Sequence, residues 1–464
     1  MDSLVIEGCA VATVDGTADG VAAGAAAGTE YESGHLILDG GQIVAVGPGP
    51  APTVEDARVV DGTGCLATPG LVGSHHHLFQ GLTRGLAQDS TLMRWLAALY
   101  PLWAQLDADL HGAAARAGLA TLALSGCSAT ADHQYLFPRG SADLLAAGIG
   151  AANQIGLRLH ACRGSMDLGA SAGGLPPDSV VEDHDAILAA TERAIEQFHD
   201  PGPGAMVRVA VAPCAPFTVT QALMRESAEL ARHHGVRLHT HLAETDDEHE
   251  FCLARFGCTP AEYMESLGWL GEDVWMAHCV HLDRSAITRL GRAGTAVAHC
   301  PTSNARLGSG VAPIPELLAA GVPVGLGVDG GAANENGGLA AEMRQSLLAA
   351  RARLGAGALS ARQALALATM GGARCLGRQN ELGSLEVGKQ ADVALWRLGD
   401  LAHAAMADPV WALVCGPPAR LELLTVAGRP VVEAGELRTA DPDSLNRDVR
   451  AAARELLRRH RAAS

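Results

Sequence analysis

Eight apolar runs, all but one closing on a polar residue and most followed by a helix-like stretch, set the strongest constraint on how this chain folds. The runs are Ala67–His77, Ser128–His133, Arg158–Arg163, Val207–Pro213, Val236–His241, Val274–His278, Ala296–His299 and Val322–Asp329. Leu106–Ser125, Ser179–Gln197, Gln221–His234, Thr259–Leu267, Arg284–Arg292 and Ile314–Ala320 lie between them with helical character. Continuous apolar runs suit strands buried on both faces, and strands alternating with helices pair in parallel. Eight such units over roughly 310 residues predict an α/β fold, a (β/α)8 barrel of TIM type with some long loops. In such a barrel the chemistry collects at the C-terminal strand ends. Here those ends carry His75, His77, His133, Arg163, His241, His278, His299 and Asp329.

The flanks have a different texture. Ser3–Val11, His35–Leu38 and Gln42–Val46 read as short strands, with turns at Gly40-Gly41 and Pro48–Pro52. Asp392–Trp396, Leu421–Val426 and Pro430–Val432 read likewise, with Gly428 in a turn. Both chain ends together therefore predict one small composite β-sandwich domain. The expected division is residues 1–66 and 381–464 for that domain and 67–380 for the barrel. Thr17–Gly28, rich in Ala and Gly, reads as a loop or insertion, and Asn446–Arg461 as a charged, solvated terminal helix.

Charge narrows the partners. The 464 residues carry 34 Lys+Arg and 51 Asp+Glu, so the formal net charge is 34 − 51 = −17. A general nucleic-acid binder needs a basic face, and so does docking on anionic lipid. Neither is expected. There is no apolar run long enough to span a membrane and no basic segment at the N-terminus to suggest a secretory signal. Eleven Cys, an odd number without a close C-x-x-C pair, suit reduced thiols in a cytoplasm.

His75 and His77 form an H-x-H pair at the end of the first barrel run, and His239 and His241 form another at the fifth. Alternate strand residues share a side, so each pair can face one point. Asp329 follows the eighth run. Imidazoles with a carboxylate suit zinc, with iron or manganese also acceptable, and three His plus one Asp with an open position make a catalytic rather than a structural site.

The chain resembles the amidohydrolase superfamily, in its aminohydrolase or deaminase branch. The resemblance rests on Pro69-Gly70-Leu71-Val72-Gly73-Ser74-His75-His76-His77, His239-Thr240-His241-Leu242-Ala243-Glu244, Ala277-His278-Cys279, Ala298-His299-Cys300-Pro301-Thr302-Ser303-Asn304, Gly325-Leu326-Gly327-Val328-Asp329-Gly330 and the Gly383–Ala394 run. It implies one zinc per chain, held by His75, His77, His241 and Asp329, with His278 touching the nucleophile or substrate. No Lys ends the fourth run, where Ala212-Pro213-Cys214 stands, so a two-metal site bridged by a modified lysine is not expected. Replacing a ring amino group by oxygen needs two proton carriers. Glu244 is expected to protonate the ring nitrogen. Asp329 is expected to take a proton from the attacking water and pass it to the leaving amine, while His278 orients that water or stabilises the tetrahedral centre.

Loop stretches resemble 8-oxoguanine deaminases and hydroxy-triazine (hydroxydechloroatrazine) aminohydrolases more than other subgroups. They include His77–Arg84, Leu99–Trp103, Ser125–Cys127 leading to Asp132-His133, His160–Met166 and Gly173–Ser179. The implied reaction is 8-oxoguanine to urate plus ammonia. Hydroxy-s-triazines, pterins, guanine and isocytosine-type rings are the alternatives, and a metal-free binding protein on the same fold is the non-enzyme one. A homo-oligomer is also implied.

Arg163 is the expected grip on a ring carbonyl, its other reading being an ion pair that braces a loop. Gln80 can donate to and accept from a ring edge, or cap a loop. His133 is read as a pocket donor or a satisfied buried His. Trp95, Tyr100 and Trp103 wall a pocket or pack the core. Cys127, Cys214, Cys279 and Cys300 are expected to pack as small apolar groups. Two stretches depart from the 8-oxoguanine subgroup: Thr302 stands where a Cys is usual, and Gly330-Gly331-Ala332-Ala333-Asn334-Glu335-Asn336 follows Asp329 in place of a Gly-Ser-Ala-Ser-Asn order.

Other motifs fail on context. Gly325-x-Gly327-x-x-Gly330 lacks the helix that a dinucleotide fold needs. His249-Glu250 meets Leu253 where a zincin has its second His, and Pro213-Cys214 lacks the second Cys of the other zinc deaminase architecture.

Overall fold

The computed structural model describes residues 3–16, 28–138 and 143–463. Eight parallel strands form one sheet in sequential order: β1 (Leu71–Gly73), β2 (Cys127–Gln134), β3 (Arg158–Ser165), β4 (Val207–Pro213), β5 (Arg237–Leu242), β6 (Val274–His278), β7 (Ala296–His299) and β8 (Val324–Leu326). The sheet curls until its ends meet. Ser74 N donates to Leu326 O at 2.8 Å and Val328 N to His75 O at 3.0 Å. A short parallel ladder beyond these bonds pairs Asp329 with His76 and Gly330 with His77. The first and last strands thus close the barrel through the segments that carry His75, His77 and Asp329. Small residues fill the interior: Ala129, Ala131, Cys162, Ala210, Ala212, Ala277, Ala296 and Ala298 pack there around Trp275. Leu and Ile side chains instead populate the layer between strands and helices.

The expected first run proves to be two strands. Cys65–Pro69 pairs antiparallel with Val393–Arg397 in the other sheet, and β1 begins two residues later, after Gly70. A side chain at Gly70 would meet Ser128 Oγ at 2.5 Å, so only glycine lets the chain cross from one sheet to the other here. Among the described residues, nine strands from both chain ends make that second, mixed sheet. Leu4, Ile6, Leu36, Leu38, Ala67, Val393, Leu395 and Leu423 form its own apolar core. The chain ends therefore meet in one composite β domain, as expected.

A bidentate ion pair locks the two parts together. Arg158, at the start of β3, donates from Nε and one Nη to the two oxygens of Asp392 at 2.9 and 3.0 Å, and both side chains are buried. The terminal helix, Pro442–Ala463, is not merely a solvated face: Leu445, Ala452 and Leu456 are buried in the main core. The Ala/Gly-rich stretch 17–27 lies outside the described residues. No helix among the described residues is long and apolar enough to cross a membrane. All eleven Cys are free.

Candidate active site

Strand parity aims the imidazoles. Along β5, Leu238 faces the helices while His239 and His241 face the interior, and along β2 the interior set Ala129 and Ala131 continues to His133. Parity alone would turn His278 outward beside Met276. Left-handed backbone at His278 (φ 70°) and Cys279 (φ 50°) re-aims it, and Ala243 (φ 49°) and Asp329 (φ 63°) are similarly strained. Such strain in non-glycine residues clusters where a site requires it.

Hydrogen bonds fix which nitrogen of each ring carries a proton. His77 Nδ1 donates to His133 O at 2.7 Å, and His241 Nδ1 to Cys214 O at 2.7 Å. Both Nε2 atoms therefore present lone pairs, and they lie 3.0 Å apart. His239 Nδ1 donates to Trp275 O at 2.9 Å, so its Nε2 accepts from His75 Nδ1 at 2.8 Å. His75 Nε2 is left as a third lone pair, buried and without a protein partner. Asp329 Oδ1 stands 3.5 Å from His75 Nε2 and 3.4 Å from His77 Nε2. Burial keeps all three imidazoles neutral, depressing His75 and His241 well below the usual range. Three lone pairs and a carboxylate converging without a donor between them repel one another. A divalent cation relieves that repulsion, so the donor set fits zinc.

Metal-ligand spacing is met by two overlapping groups among the described residues: His75, His77, His133 and His241, and His75, His278 and Asp329. His133 donates from Nε2 to Ala212 O at 2.7 Å and keeps an unpartnered Nδ1. His299 is buried but belongs to neither group.

Glu244 sits beside the cluster, buried, with Oε2 3.5 Å from His278 Nε2 and Oε1 unpaired. Burial pushes its carboxyl up to about 7, with His278 pulling the other way. Burial lowers the affinity of His278 for a proton, but Glu244 and Asp329 outweigh it and raise the imidazole overall. Asn304 Oδ1 accepts from His278 Nδ1 at 2.9 Å. A carboxyl raised to about 7 beside an imidazole whose proton affinity is also raised can exchange a proton with it.

Gln80 lines the same cavity, together with Trp95, Tyr135, Cys214, Glu244, His278 and Asp329. Its Nε2 donates to Tyr135 Oη at 3.3 Å and its Oε1 has no protein partner. A Cβ on Gly330 would fall 1.6 Å from Gln80 Oε1, so the glycine after Asp329 makes room for this amide.

Arg163 is not brought to this cavity. On β3 the interior residue is Cys162, and Arg163 points with Leu159 and Ala161 toward the helices. Its guanidinium makes a bidentate pair with Glu182 at 2.7 and 3.0 Å and stacks 3.7 Å over Phe137, lining a separate cavity. The loop-bracing reading fits this geometry. Arg163→Met is therefore expected to change kcat/KM by less than about 3-fold while lowering thermal stability. Steady-state kinetics on the purified variant check this, and a loss near 100-fold would return Arg163 to the substrate.

Sequence reasoning missed two buried acids. Glu248 accepts from the backbone N–H groups of Ala243 and Glu244 at 2.9 and 3.2 Å, fixing the turn that presents Glu244. Glu342 accepts from Thr302 N, Thr302 Oγ1 and Asn334 Nδ2 at 3.1, 2.7 and 2.8 Å. Both departures from the subgroup pattern are thus tied to one carboxyl behind Asp329. A helical position gave no sign of either role.

The sequence profile of the Amidohydrolase family matches residues 66–429. An 8-oxoguanine deaminase of Pseudomonas aeruginosa is 45% identical over 428 residues, covering 92% of this chain and 95% of its own. An isoxanthopterin deaminase of an unknown prokaryotic organism is 39% identical over 439 residues, covering 90% of each chain. The crystal structure of an atrazine chlorohydrolase of Arthrobacter aurescens TC1 complexed with zinc matches with a TM-score of 0.91 at 35% identity, over 97% of this chain and 100% of that one.

Proposed function

The chain belongs to the amidohydrolase family, and on that premise we propose that it hydrolyses 8-oxoguanine to urate and ammonia. It is a metal-dependent deaminase of a nitrogen heterocycle, with Zn2+ as its metal. The convergence of three neutral imidazoles on Asp329, beside a Glu244 carboxyl raised to about 7, carries the reading of the chemistry. The 45% identity to an 8-oxoguanine deaminase carries the choice of ring.

His75, His77, His241 and Asp329 would hold the zinc. When bound, zinc polarises a water molecule and brings its ionisation toward neutrality. The protein's own groups then handle protons. Glu244, protonated near neutral pH, gives its proton to the ring nitrogen next to the carbon under attack, and that nitrogen takes up the electron pair of the C=N bond. Asp329 accepts a proton from the attacking water and delivers it to the departing amine. His278, anchored by Asn304, steers the water and offsets charge at the tetrahedral carbon. Collapse of that carbon expels ammonia, its hydroxyl proton returns to Glu244, and the ring keeps a carbonyl where the amino group stood. Water enters and ammonia leaves, so atoms balance.

We place the enzyme in the cytoplasm as a homo-oligomer, on the free thiols and on the resemblance respectively, and we keep 67–380 as the catalytic unit. Ammonia release by zinc-loaded enzyme tests the reading on 8-oxoguanine, guanine, isocytosine, isoxanthopterin and hydroxy-triazines. The expected result is a kcat/KM for 8-oxoguanine at least about 10-fold above the others, a difference of about 1.4 kcal/mol in transition-state binding. A higher value on another ring would overturn the substrate and leave the deaminase class standing.

A further inference from the structure

The chain has six tryptophans. Four of the buried indoles donate within the protein: Trp103 to Thr83 Oγ1, Trp269 to Met224 O, Trp275 to Ser74 O and Trp396 to Thr68 Oγ1, all at 2.8–3.1 Å. Trp411 is exposed. Trp95 differs from all of them. It is 3% exposed, and its Nε1–H finds no protein acceptor. An unsatisfied buried donor is costly and calls for a partner from outside the chain. Trp95 lines the cavity shared by Glu244, Gln80, His278 and Asp329. Its ring is held edge-on by Trp103, with centroids 5.2 Å apart and planes at 72°, so rotation away is opposed.

We propose that the Trp95 indole N–H reads a ring carbonyl of the substrate. The inference rests on the proposed deaminase reaction and adds the selection of an oxo-substituted ring. An indole N–H can only donate, so whatever faces it must accept. Gln80 Oε1, unpaired in the same cavity with its own Nε2 committed to Tyr135, can only accept. Adjacent carbonyl and N–H groups, the lactam edge of an oxopurine or oxopterin, satisfy both at once. An alkylamino substituent turned toward Trp95 would set donor against donor. The donor role that the sequence suggested for Arg163 is thereby supplied from the helix Leu92–Trp103 at the barrel mouth.

The test is competitive inhibition of the zinc enzyme by amine-free rings: urate, xanthine without the 8-carbonyl, and 2,8-dioxopurine without the 6-carbonyl. Trp95→Phe keeps an aromatic ring and removes the N–H. It is expected to weaken urate by about 10–100-fold, and to leave within about 2-fold the one analogue that lacks the carbonyl being read. Equal losses on all three rings, or a urate loss under about 3-fold, would overturn the proposal. Zinc content confirms that the variant is intact, and Trp95→Met, which also lacks a donor, replaces it if the Phe variant loses metal. If ammonia release favours another ring, the choice of 8-oxoguanine has failed by itself. The same comparison on the product of whichever ring is turned over then decides Trp95.

Discussion

Glu244→Gln is expected to lower kcat by about 10²–10⁴-fold with zinc content unchanged. The amide keeps the size and one hydrogen-bonding oxygen but has no transferable proton. Glu244 lies outside the three-imidazole cluster and meets it only through His278, at 3.5 Å, so the metal ligands should not move. Metal analysis beside steady-state kinetics separates the two effects. A variant that keeps most of its kcat would remove Glu244 from the reaction, and one that loses zinc would make it structural. The sign of the pH dependence follows from the same residue. Burial raises the carboxyl to about 7, and the proposed role needs the protonated form. Activity is therefore expected to fall as pH rises through that value.

Asp392→Ala is expected to cost about 3–5 kcal/mol of stability, read as a lower urea or thermal midpoint. Arg158 is fully buried, and two of its nitrogens rest on the two Asp392 oxygens. The alanine variant leaves a guanidinium charge stranded between the barrel and the composite sheet. Asp392 also receives Ala427 N at 2.8 Å, which loses its acceptor as well. Removing both charges with Arg158→Met and Asp392→Leu should recover much of the loss, because the uncompensated charge rather than the missing attraction dominates. Equal stability of the single variant and the wild type would show that water reaches Arg158.

The eight barrel strands were legible because seven of the buried runs end on a distinctive polar residue and the fourth, Val207–Pro213, falls in sequence with them. Glu244, His278 and Asp329 were legible through the motifs around them, and the structure gathers all three at one mouth. Ala67–His77 misled because periodicity cannot divide a run that is apolar on both faces, and the break at Gly70 depends on Ser128, distant in sequence. Arg163 misled for a simpler reason. Its position at a strand end was weighed, but not its parity with Cys162, which points it at Glu182. Glu248 and Glu342 were invisible, since their value lies in the backbone and side-chain donors they receive across turns. His239 was read as half of an H-x-H pair and left out of the ligand set. Its bond to Trp275 O instead makes it the acceptor that fixes the proton on His75.

Barrel closure also has a timetable. Ser74 and Leu326, which seal the seam next to His75 and Asp329, are 252 residues apart. A ribosome adding about 5–20 residues per second needs on the order of 10–50 s to travel between them. Throughout that interval the nascent chain displays the paired histidines of its first strand without the carboxylate that completes the site. Those histidines alone are an incomplete chelator for an ion that imidazole binds. The last strand adds Asp329 to them only when it docks. The complete donor set therefore exists only after the eighth strand has been made and has docked beside the first.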